Sequence, residues 1–336
     1  MPANDNFQEL PLTVTQPTIC VTAPARLPTI SGTDTVDEDL LEKGFEALED
    51  LGWNVVVTEN LHTLYKGFAG EDAMRARSLI AAFEDPEVDV VLGARGGYGT
   101  TRLLDLLPWK TLAESPAVFV GLSDLTAINL GLMRHGRASW QGPVATYFAR
   151  NNEDCRMRFM RAMTSPVFDI ELDVAGDECD VEGQIWGGNL SMLVSLLGTD
   201  YFPTQKQFAD GILYIEDVNE PAWRIERMLN QLIQAGVLTR QQVLIVGSMI
   251  GHDRWQGTGN AAFKLEDALD YVRQTTGVKI VTGLPFGHVH DTLTLPVGVN
   301  GRVMVKNNRL RMTVTDAPIP TEYPKAETAN APLWWV

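Results

Sequence analysis

The sequence predicts a two-domain α/β protein, with a parallel-sheet domain followed by a mixed, β-rich α/β domain. The chain has 336 residues, of which 45% are hydrophobic and 21% charged, so it is long enough for two domains with apolar cores. Its first half alternates short β-branched runs with amphipathic stretches, which is typical of a parallel sheet covered by helices on both faces. Its second half mixes helical patterns with an alternating run that indicates antiparallel strands.

The N-terminal domain is predicted to span residues 17–150. Its strands are indicated by four apolar runs, TICVTAPA, WNVVVT, VDVVLG and AVFVG, and helical patterns lie between them. Carboxylates at Asp37–Asp39 and Glu71–Asp72 fit the first turns of two of these helices, and Gly52 fits the end of the first. Residues 1–16 match no pattern, and we expect them to form a poorly ordered arm.

The C-terminal domain is predicted to span residues 183–336. The irregular, acidic stretch 151–182 is predicted to be the crossover between the domains. Two strands, GILYIEDVNE and QQVLIVGSM, are expected in the C-terminal domain, with a helix between them and another helix near 265–275. The alternating run RVMVKNNRLRMTVTD predicts a hairpin that turns at Asn307 and Asn308.

Charge and composition exclude several classes of partner. Lys and Arg number 27 against 43 Asp and Glu, a net charge of -16, which disfavours nucleic acid and anionic membrane surfaces. No apolar run approaches the roughly 18 residues of a membrane helix, and the first residues do not resemble a signal peptide, so we expect a cytoplasmic protein. The three cysteines have no C-x-x-C spacing, which argues against a disulfide framework or a thiolate zinc site.

Ser123 lies where the apolar run AVFVG meets the helical pattern LTAINLGL. Such a strand-to-helix turn can hold a nucleophilic hydroxyl clear of a sheet and direct the next backbone N–H groups at a reacting oxygen. Ser123 or Asp124 could instead be an ordinary helix cap, since both residue types are preferred there. Leu125 also replaces the second glycine of the G-x-S-x-G pattern, so the local sequence leaves both interpretations open.

A nucleophilic serine needs a base, and the chain has five histidines. His288 is the strongest candidate because it lies in the Gly- and Pro-containing loop TGLPFGHVHDT, directly after an apolar strand. His290 is its local competitor. We expect ordinary surface roles for His62, in a polar stretch, and His135, at a helix C-terminus.

An imidazole base also needs an acceptor that fixes its tautomer. The segment YIEDVNEP supplies three carboxylates, Glu216, Asp217 and Glu220. Glu216 is the first polar residue at the carboxyl end of a predicted buried strand, where open α/β sheets bind ligands. The alternative is a solvated acidic turn before Pro221.

The glycine-rich segment GARGGYGTTR, residues 93–102, follows a predicted strand. Its glycine spacing fits neither G-x-G-x-x-G nor a Walker loop, so the sequence does not predict a phosphate site here. The N–H groups of Gly96 or Gly97 could bind an oxyanion, since glycine lets the main chain approach a substrate closely. A tight structural turn is the alternative.

Six blocks together resemble the LD-carboxypeptidase family, the muramoyltetrapeptide carboxypeptidases that also include microcin C self-immunity proteins. They occur in consistent order between residues 68 and 298: FAGEDAMRARSL, RGGYGTTRLL, GLSDLTAINLGL, GQIWGGNLSMLVSLLGT, YIEDVNEPAWRIERML and TGLPFGHVHDTLTLPVG. The resemblance implies a flavodoxin-like (Rossmann-like) α/β domain and a C-terminal β-rich α/β domain, with the active site between them and often a homodimer.

The resemblance also implies a Ser-His-Glu hydrolase that needs no metal or cofactor. Carried onto this chain, the nucleophile is Ser123, the base is His288 and the carboxylate is Glu216. The implied substrate is the murein tetrapeptide, which would lose its C-terminal D-alanine during cell-wall recycling. Gln141 stands where some members have histidine, and we assign it no catalytic role.

The other site residues are hypotheses that follow from this chemistry. The N–H of Asp124, with that of Gly96 or Gly97, is expected to bind the oxyanion. A carboxypeptidase must also bind a free carboxylate, for which Arg95 and Arg102 are candidates, with surface ion pairs as the alternative for each. Two other functions stay open: a hydrolase of acyl-aspartyl nucleotides, with Trp186 as an aromatic platform for the base, and a non-catalytic Rossmann-like binding protein.

Overall fold

The computed structural model describes residues 16–150, 152–254, 257–258 and 262–320. Apart from Gln16, the predicted N-terminal arm therefore lies outside the described residues. The strands are β1 (Thr18–Thr22), β2 (Asn54–Val57), β3 (Val90–Gly93), β4 (Val118–Gly121), β5 (Ser139–Gln141), β6 (Phe168–Asp173), β7 (Ala175–Gly176), β8 (Cys179–Asn189), β9 (Gly211–Val218), β10 (Gln241–Ile250), β11 (Lys279–Thr282), β12 (Leu295–Val297), β13 (Val299–Lys306) and β14 (Arg309–Val314). The helices are α1 (Glu38–Glu49), α2 (Asp72–Glu84), α3 (Trp109–Glu114), α4 (Thr126–Arg134), α5 (Ala145–Phe148), α6 (Glu153–Thr164), α7 (Leu190–Ser195), α8 (Gln205–Phe208), α9 (Ala222–Gln234) and α10 (Leu265–Thr276).

The first sheet has the order β12-β5-β4-β3-β1-β2, and the five strands from the first half are parallel. Every residue of β1, β3 and β4 is buried, as expected for β-branched strands covered on both faces. The order 2-1-3-4-5 is that of flavodoxin-like folds. The predicted parallel α/β unit is therefore confirmed.

The second sheet has eight strands in the order β6-β14-β13-β8-β9-β10-β11-β7. Its centre, β8 to β11, is parallel, while β13, β14, β6 and β7 pair antiparallel with their neighbours. The hairpin between β13 and β14 turns at Asn307 and Asn308, whose φ angles are 51° and 60°, and asparagine is one of the few residues that accept such angles. The predicted mixed, β-rich second half and its hairpin are both confirmed.

Strand β12 belongs to the second half of the chain but pairs with the first sheet, antiparallel to β5. No strand was predicted for this segment, because Pro296 interrupts its short apolar run. Proline lacks an N–H and is tolerated at a sheet edge, and β12 is the edge strand beside β5. The first sheet is thus completed by a strand that follows the loop carrying His288.

The segment 151–182 was expected to be irregular, and this expectation is wrong for much of it. It contains α6, which begins at the N-cap Asn152, then β6, β7 and the start of β8. The buried residues of α6, including Cys155, Phe159 and Met163, recur at helical spacing. The period covers only three turns and is surrounded by charged residues, so the sequence alone does not clearly indicate a helix.

Candidate site residues lie at the carboxyl ends of strands in both sheets. In the first sheet, β1, β3 and β4 are neighbours, and they are followed by Arg26, the glycine-rich segment and Ser123 respectively. In the second sheet, Glu216 lies near the end of β9, and the loop after β11 carries His288. No helix within the described ranges combines the length and apolar character needed to cross a membrane.

Candidate active site

Ser123 lies at a strained turn directly after β4. Its φ is 63°, in the left-handed region, and it begins a short 3₁₀ helix, Ser123–Leu125, that leads into α4. Neither Ser123 nor Asp124 caps these helices with its side chain, so the capping interpretation is wrong. A non-glycine residue in this conformation costs about 1–3 kcal/mol, and such strain is commonly found at functional sites.

The turn has no glycine at position 125, where the G-x-S-x-G pattern has one, and the glycines that make room for it lie in β3 and β4. Leu125 is completely buried. A Cβ on Gly121 would lie 2.7 Å from Leu125 Cβ, and a Cβ on Gly93, in the adjacent strand, would lie 2.2 Å from Leu125 Cδ1. The missing second glycine of G-x-S-x-G is therefore compensated by glycines in β3 and β4.

The glycine-rich segment packs directly against this turn. A Cβ on Gly96 would lie 2.8 Å from Ser123 Cβ and 3.2 Å from its Oγ. The buried carboxylate of Asp124 accepts a hydrogen bond of 2.8 Å from the backbone N–H of Thr100. Among the described residues, the N–H groups of Gly96, Gly97 and Asp124 have no hydrogen-bond acceptor, so the turn offers free donors beside the serine hydroxyl.

His288 and Glu216 form a hydrogen-bonded pair, with Nδ1 of the imidazole 2.7 Å from Oε2 of the carboxylate. The Glu216 side chain is completely buried, and 23% of the His288 side chain is exposed. Gly287 has a φ of 114°, and a Cβ there would lie 2.6 Å from Glu216 Oε2, so only glycine allows the loop to pass this close. A carboxylate on Nδ1 directs the proton there and leaves Nε2 as the basic nitrogen.

The environment of His288 favours its protonated form. Burial disfavours the imidazolium, but the hydrogen bond and the charge of Glu216, helped by Asp217, outweigh it and raise the pKa of His288. For Asp217, burial itself, reinforced by the charge of Glu216, raises the pKa of the carboxyl group. An imidazole with a buried carboxylate partner and a raised pKa is suited to general-base chemistry.

A chain of buried hydrogen bonds joins the Ser123 turn to the His288–Glu216 pair. Asn189 Nδ2 donates to Glu216 Oε1 (3.1 Å), and the Asn189 N–H donates to Thr126 Oγ1 (3.1 Å). Thr126 follows Ser123 by three residues in the chain and also accepts a bond of 2.8 Å from Gln141 Nε2. Neither Asn189 nor Thr126 was predicted from the sequence. A weak signal was present in the sequence, because each is a polar residue at the start of a mainly apolar helical stretch.

Three of the other histidines have different partners or surface positions. His290, the local competitor of His288, is exposed, and its Nδ1 lies 2.7 Å from Asn152 Nδ2 instead of a carboxylate. His62 is exposed and pairs with Glu38 at 3.2 Å. His135 follows α4, and its Nδ1 lies 2.8 Å from the carbonyl oxygen of Gly131. The expected roles of His62 and His135 agree with these positions.

The two arginines proposed for carboxylate binding differ in their surroundings. Arg102 is exposed, and its Nε and Nη2 both bind the carboxylate of Asp72, with Nη2 at 2.6 Å from Oδ2. Its charge is therefore already paired, which favours the surface ion-pair interpretation. Arg95 is half-buried and donates from Nη1 to the carbonyl oxygen of Leu27 (2.9 Å). Burial and the nearby charge of Arg26 lower the pKa of Arg95.

Arg26 is a cation of this region that was not predicted from the sequence. It follows β1 in the stretch TAPAR, and its side chain lies along Gly97, where a Cβ would be 3.1 Å from both Cβ and Cδ of Arg26. Within the described ranges, neither Arg26 nor Arg95 forms an ion pair. The glycine-rich segment therefore contains one arginine, Arg95, and is contacted by the side-chain stem of another, Arg26, and neither has an acidic partner among the described residues.

The structure corrects the proposed role of Trp186. Its side chain is completely buried, its Nε1–H donates to Gln241 Oε1 (3.0 Å), and its ring packs against Phe202 and Phe208. The indole belongs to the core of the second half and offers no face to a ligand. Across the described part of the chain, no group of three or more His, Cys, Asp or Glu side chains is arranged to hold a metal ion.

The chain matches descriptions of known protein families over most of its length. Residues 19–142 match the LD-carboxypeptidase N-terminal domain, and residues 182–303 match the LD-carboxypeptidase C-terminal domain. The murein tetrapeptide carboxypeptidase of Pseudomonas aeruginosa is 30% identical over 298 residues, which cover 85% of this chain and 94% of that protein.

Solved structures share the fold. The muramoyltetrapeptide carboxypeptidase from Oxalobacter formigenes is 33% identical, with a TM-score of 0.78 over 90% of this chain and all of the other. The wild-type microcin C7 self immunity protein MccF also has a TM-score of 0.78, over 92% of this chain and 98% of MccF. At 20% identity, the similarity to MccF shows a common fold alone.

Proposed function

Because this chain belongs to the LD-carboxypeptidase family, we propose that it removes the C-terminal D-alanine from murein tetrapeptide. The bond cleaved joins the L-centre of diaminopimelate to D-alanine. The observation that carries the proposal is the pairing of His288 with the buried Glu216, which hydrogen bonds connect through Asn189 to the turn that carries Ser123. Two relatives whose names refer to murein or muramoyl tetrapeptides, each at least 30% identical, support the choice of substrate.

In the proposed mechanism, Ser123 Oγ attacks the peptide carbonyl carbon while His288 Nε2 accepts the hydroxyl proton. The tetrahedral oxyanion is bound by the N–H of Asp124 and that of Gly96 or Gly97, whose donors are free within the described residues. A single oxyanion donor typically stabilises the transition state by about 2.7–4 kcal/mol. The strained turn is consistent with this role because it places the hydroxyl and the Asp124 N–H together.

The intermediate then collapses. The C–N bond breaks, the imidazolium of His288 transfers its proton to the D-alanine amine, and an acyl-serine remains. Water, deprotonated by His288, hydrolyses this ester and regenerates Ser123. Throughout, Glu216 keeps the proton on Nδ1 and stabilises the imidazolium.

The free carboxylate of the substrate needs a local cation, because the protein as a whole carries a charge of -16. We assign this role to Arg95, which lies within the glycine-rich segment, with the nearby Arg26, since neither has an acidic partner in the described part of the structure. Arg102 is the weaker candidate, because its guanidinium group is bound to Asp72.

Mass spectrometry of purified murein tetrapeptide before and after incubation with the protein tests the proposal. The expected product is the tripeptide plus free D-alanine. Tetrapeptide that ends in L-alanine is the control for the L,D bond, and the Ser123→Ala variant is the control for a contaminating hydrolase. An unchanged tetrapeptide would contradict the proposed substrate.

The same experiment separates the two alternatives. A peptidyl-nucleotide incubated in parallel tests for hydrolysis of acyl-aspartyl nucleotides. This alternative is weaker because Trp186, its proposed aromatic platform for the base, is buried. Full hydrolysis by Ser123→Ala would show that Ser123 is not the nucleophile, and binding without hydrolysis would favour the non-catalytic binding protein.

We further propose a cytoplasmic homodimer, which cell fractionation and light scattering of the purified protein would test.

A further inference from the structure

Two adjacent carboxylates, Glu216 and Asp217, are both buried at the end of β9. Burying two neighbouring negative charges is unfavourable unless donors satisfy their oxygens. Asn189 lies opposite Glu216 in the register of β8 and β9. Its amide nitrogen donates to both, with Nδ2 at 3.1 Å from Glu216 Oε1 and 3.2 Å from Asp217 Oδ1. One neutral amide therefore serves both carboxylates.

Hydrogen bonds to the other polar atoms of Asn189 hold it in this position. Its Oδ1 accepts the N–H of Met192 (3.1 Å), as the N-cap of α7, which orients the amide so that Nδ2 faces the carboxylates. Its backbone N–H donates to Thr126 Oγ1, which also accepts from Gln141 Nε2. Thr126 is the first residue of α4, the helix that follows the Ser123 turn. Asn189 is thus bonded to both halves of the candidate site.

We propose that Asn189 is a positioning residue for this reaction: it fixes the Glu216 carboxylate toward His288 and ties that pair to the Ser123 turn through Thr126. The inference rests on the proposed function and deepens it. Asn189 does not touch the reacting atoms in this mechanism. It acts through Glu216: the amide of Asn189 binds Oε1, and Oε2 is directed toward His288.

Substitution at position 189 can separate this role from helix capping. Serine is a good N-cap and keeps an acceptor for the Met192 N–H, but it removes the donor to both carboxylates. In Asn189→Ser, Glu216 is no longer held toward His288, so the hydrogen bond and charge that favour the imidazolium weaken and the pKa of His288 should fall. The charged groups that face His288 are Glu216, Asp217 and Arg150, and the substitution changes none of them.

The test combines kinetics with an NMR titration of the His288 imidazole, whose signal is identified by its loss in His288→Gln. We expect Asn189→Ser to lower kcat/KM by about 100-fold, the effect of a small misplacement of a catalytic group, and to lower the pKa of His288. An unchanged titration would overturn the inference, even with reduced activity, because a merely structural role predicts that result. The titration needs no substrate, so its result can be interpreted even if the proposed substrate is not cleaved.

A second pair of variants covers the case in which Asn189→Ser does not fold. Thr126→Val removes the acceptor of the Asn189 N–H, whereas Thr126→Ser keeps the hydroxyl. The valine variant should change kcat/KM and the pKa of His288 in the same direction as Asn189→Ser. The serine variant should keep both close to those of the unmodified protein. Equal behaviour of the two Thr126 variants would contradict the proposed link between the halves of the site.

Discussion

Gly96 lies in direct contact with Ser123, so closely that a Cβ on Gly96 would be 2.8 Å from Ser123 Cβ and 3.1 Å from the carbonyl oxygen of Leu122. Its φ is not positive, so a larger residue would face no backbone strain at this position. Glycine is required here for space alone. The contact brings the free N–H groups of the glycine-rich segment beside the candidate nucleophile.

We therefore predict that Gly96→Ala lowers kcat/KM by on the order of 100-fold, because the added methyl group displaces either the serine or the donors. Gly136→Ala is the control. Gly136 has a φ of 79°, and a Cβ there would meet nothing within 4 Å, so alanine should cost about 1–2 kcal/mol of stability but no activity per folded molecule. Steady-state kinetics and thermal unfolding of both variants measure the contrast. Full activity of Gly96→Ala would contradict the close contact.

The left-handed backbone of Ser123 leads to a second prediction. Ser123→Ala and Ser123→Gly should both lose hydrolysis, by a factor on the order of 10⁶ in kcat if Ser123 is the nucleophile of a triad. They should differ in stability, because glycine adopts a φ of 63° without strain and alanine does not. We expect the glycine variant to be more stable than the alanine variant by about 1 kcal/mol in denaturant unfolding. Equal stabilities would mean that the turn is not strained.

Much of the fold could be predicted from sequence, because it depends on local patterns, and local patterns with the family resemblance supplied the candidate site residues. Buried β-branched runs predicted the parallel sheet. Polar residues at strand ends made Ser123, Glu216 and the loop of His288 candidates, and the family resemblance selected them. Asn189, Thr126 and Arg26 were missed because their significance depends on contacts across the fold. Trp186 was misassigned for a related reason, since a tryptophan beside two glycines looks the same in sequence whether it faces a ligand or the core.

The third prediction concerns pH. Because Glu216 raises the pKa of His288 above the ordinary histidine value of 6.5, the acid limb of kcat/KM, which follows formation of the neutral imidazole, should lie above that pH. Glu216→Gln removes the charge that favours the imidazolium, so the pKa of His288 falls and the acid limb moves to lower pH. The maximal kcat should also fall by about 10⁴-fold, since the glutamine no longer selects the productive tautomer.

The chain offers a matched control for this variant. Glu38 and His62 form a second Glu–His pair, at 3.2 Å, but both side chains are exposed. Glu38→Gln should therefore leave the pH profile of hydrolysis unchanged. If both variants shifted the acid limb equally, the effect would be one of general surface charge and His288 would not be the titrating base.

The last prediction tests recognition of the substrate carboxylate. Arg95→Met keeps an apolar stem but removes the half-buried guanidinium, so KM for tetrapeptide should rise by roughly 10- to 100-fold, the usual value of a hydrogen bond to a charged group. A tetrapeptide amide lacks the terminal charge, and the unmodified enzyme should already bind it as weakly as Arg95→Met binds the acid. Arg77→Met, at an exposed position of α2, is the control and should leave KM unchanged. If only Arg26→Met raised KM, the carboxylate would bind to Arg26, and if neither variant did, recognition would not depend on these guanidinium groups.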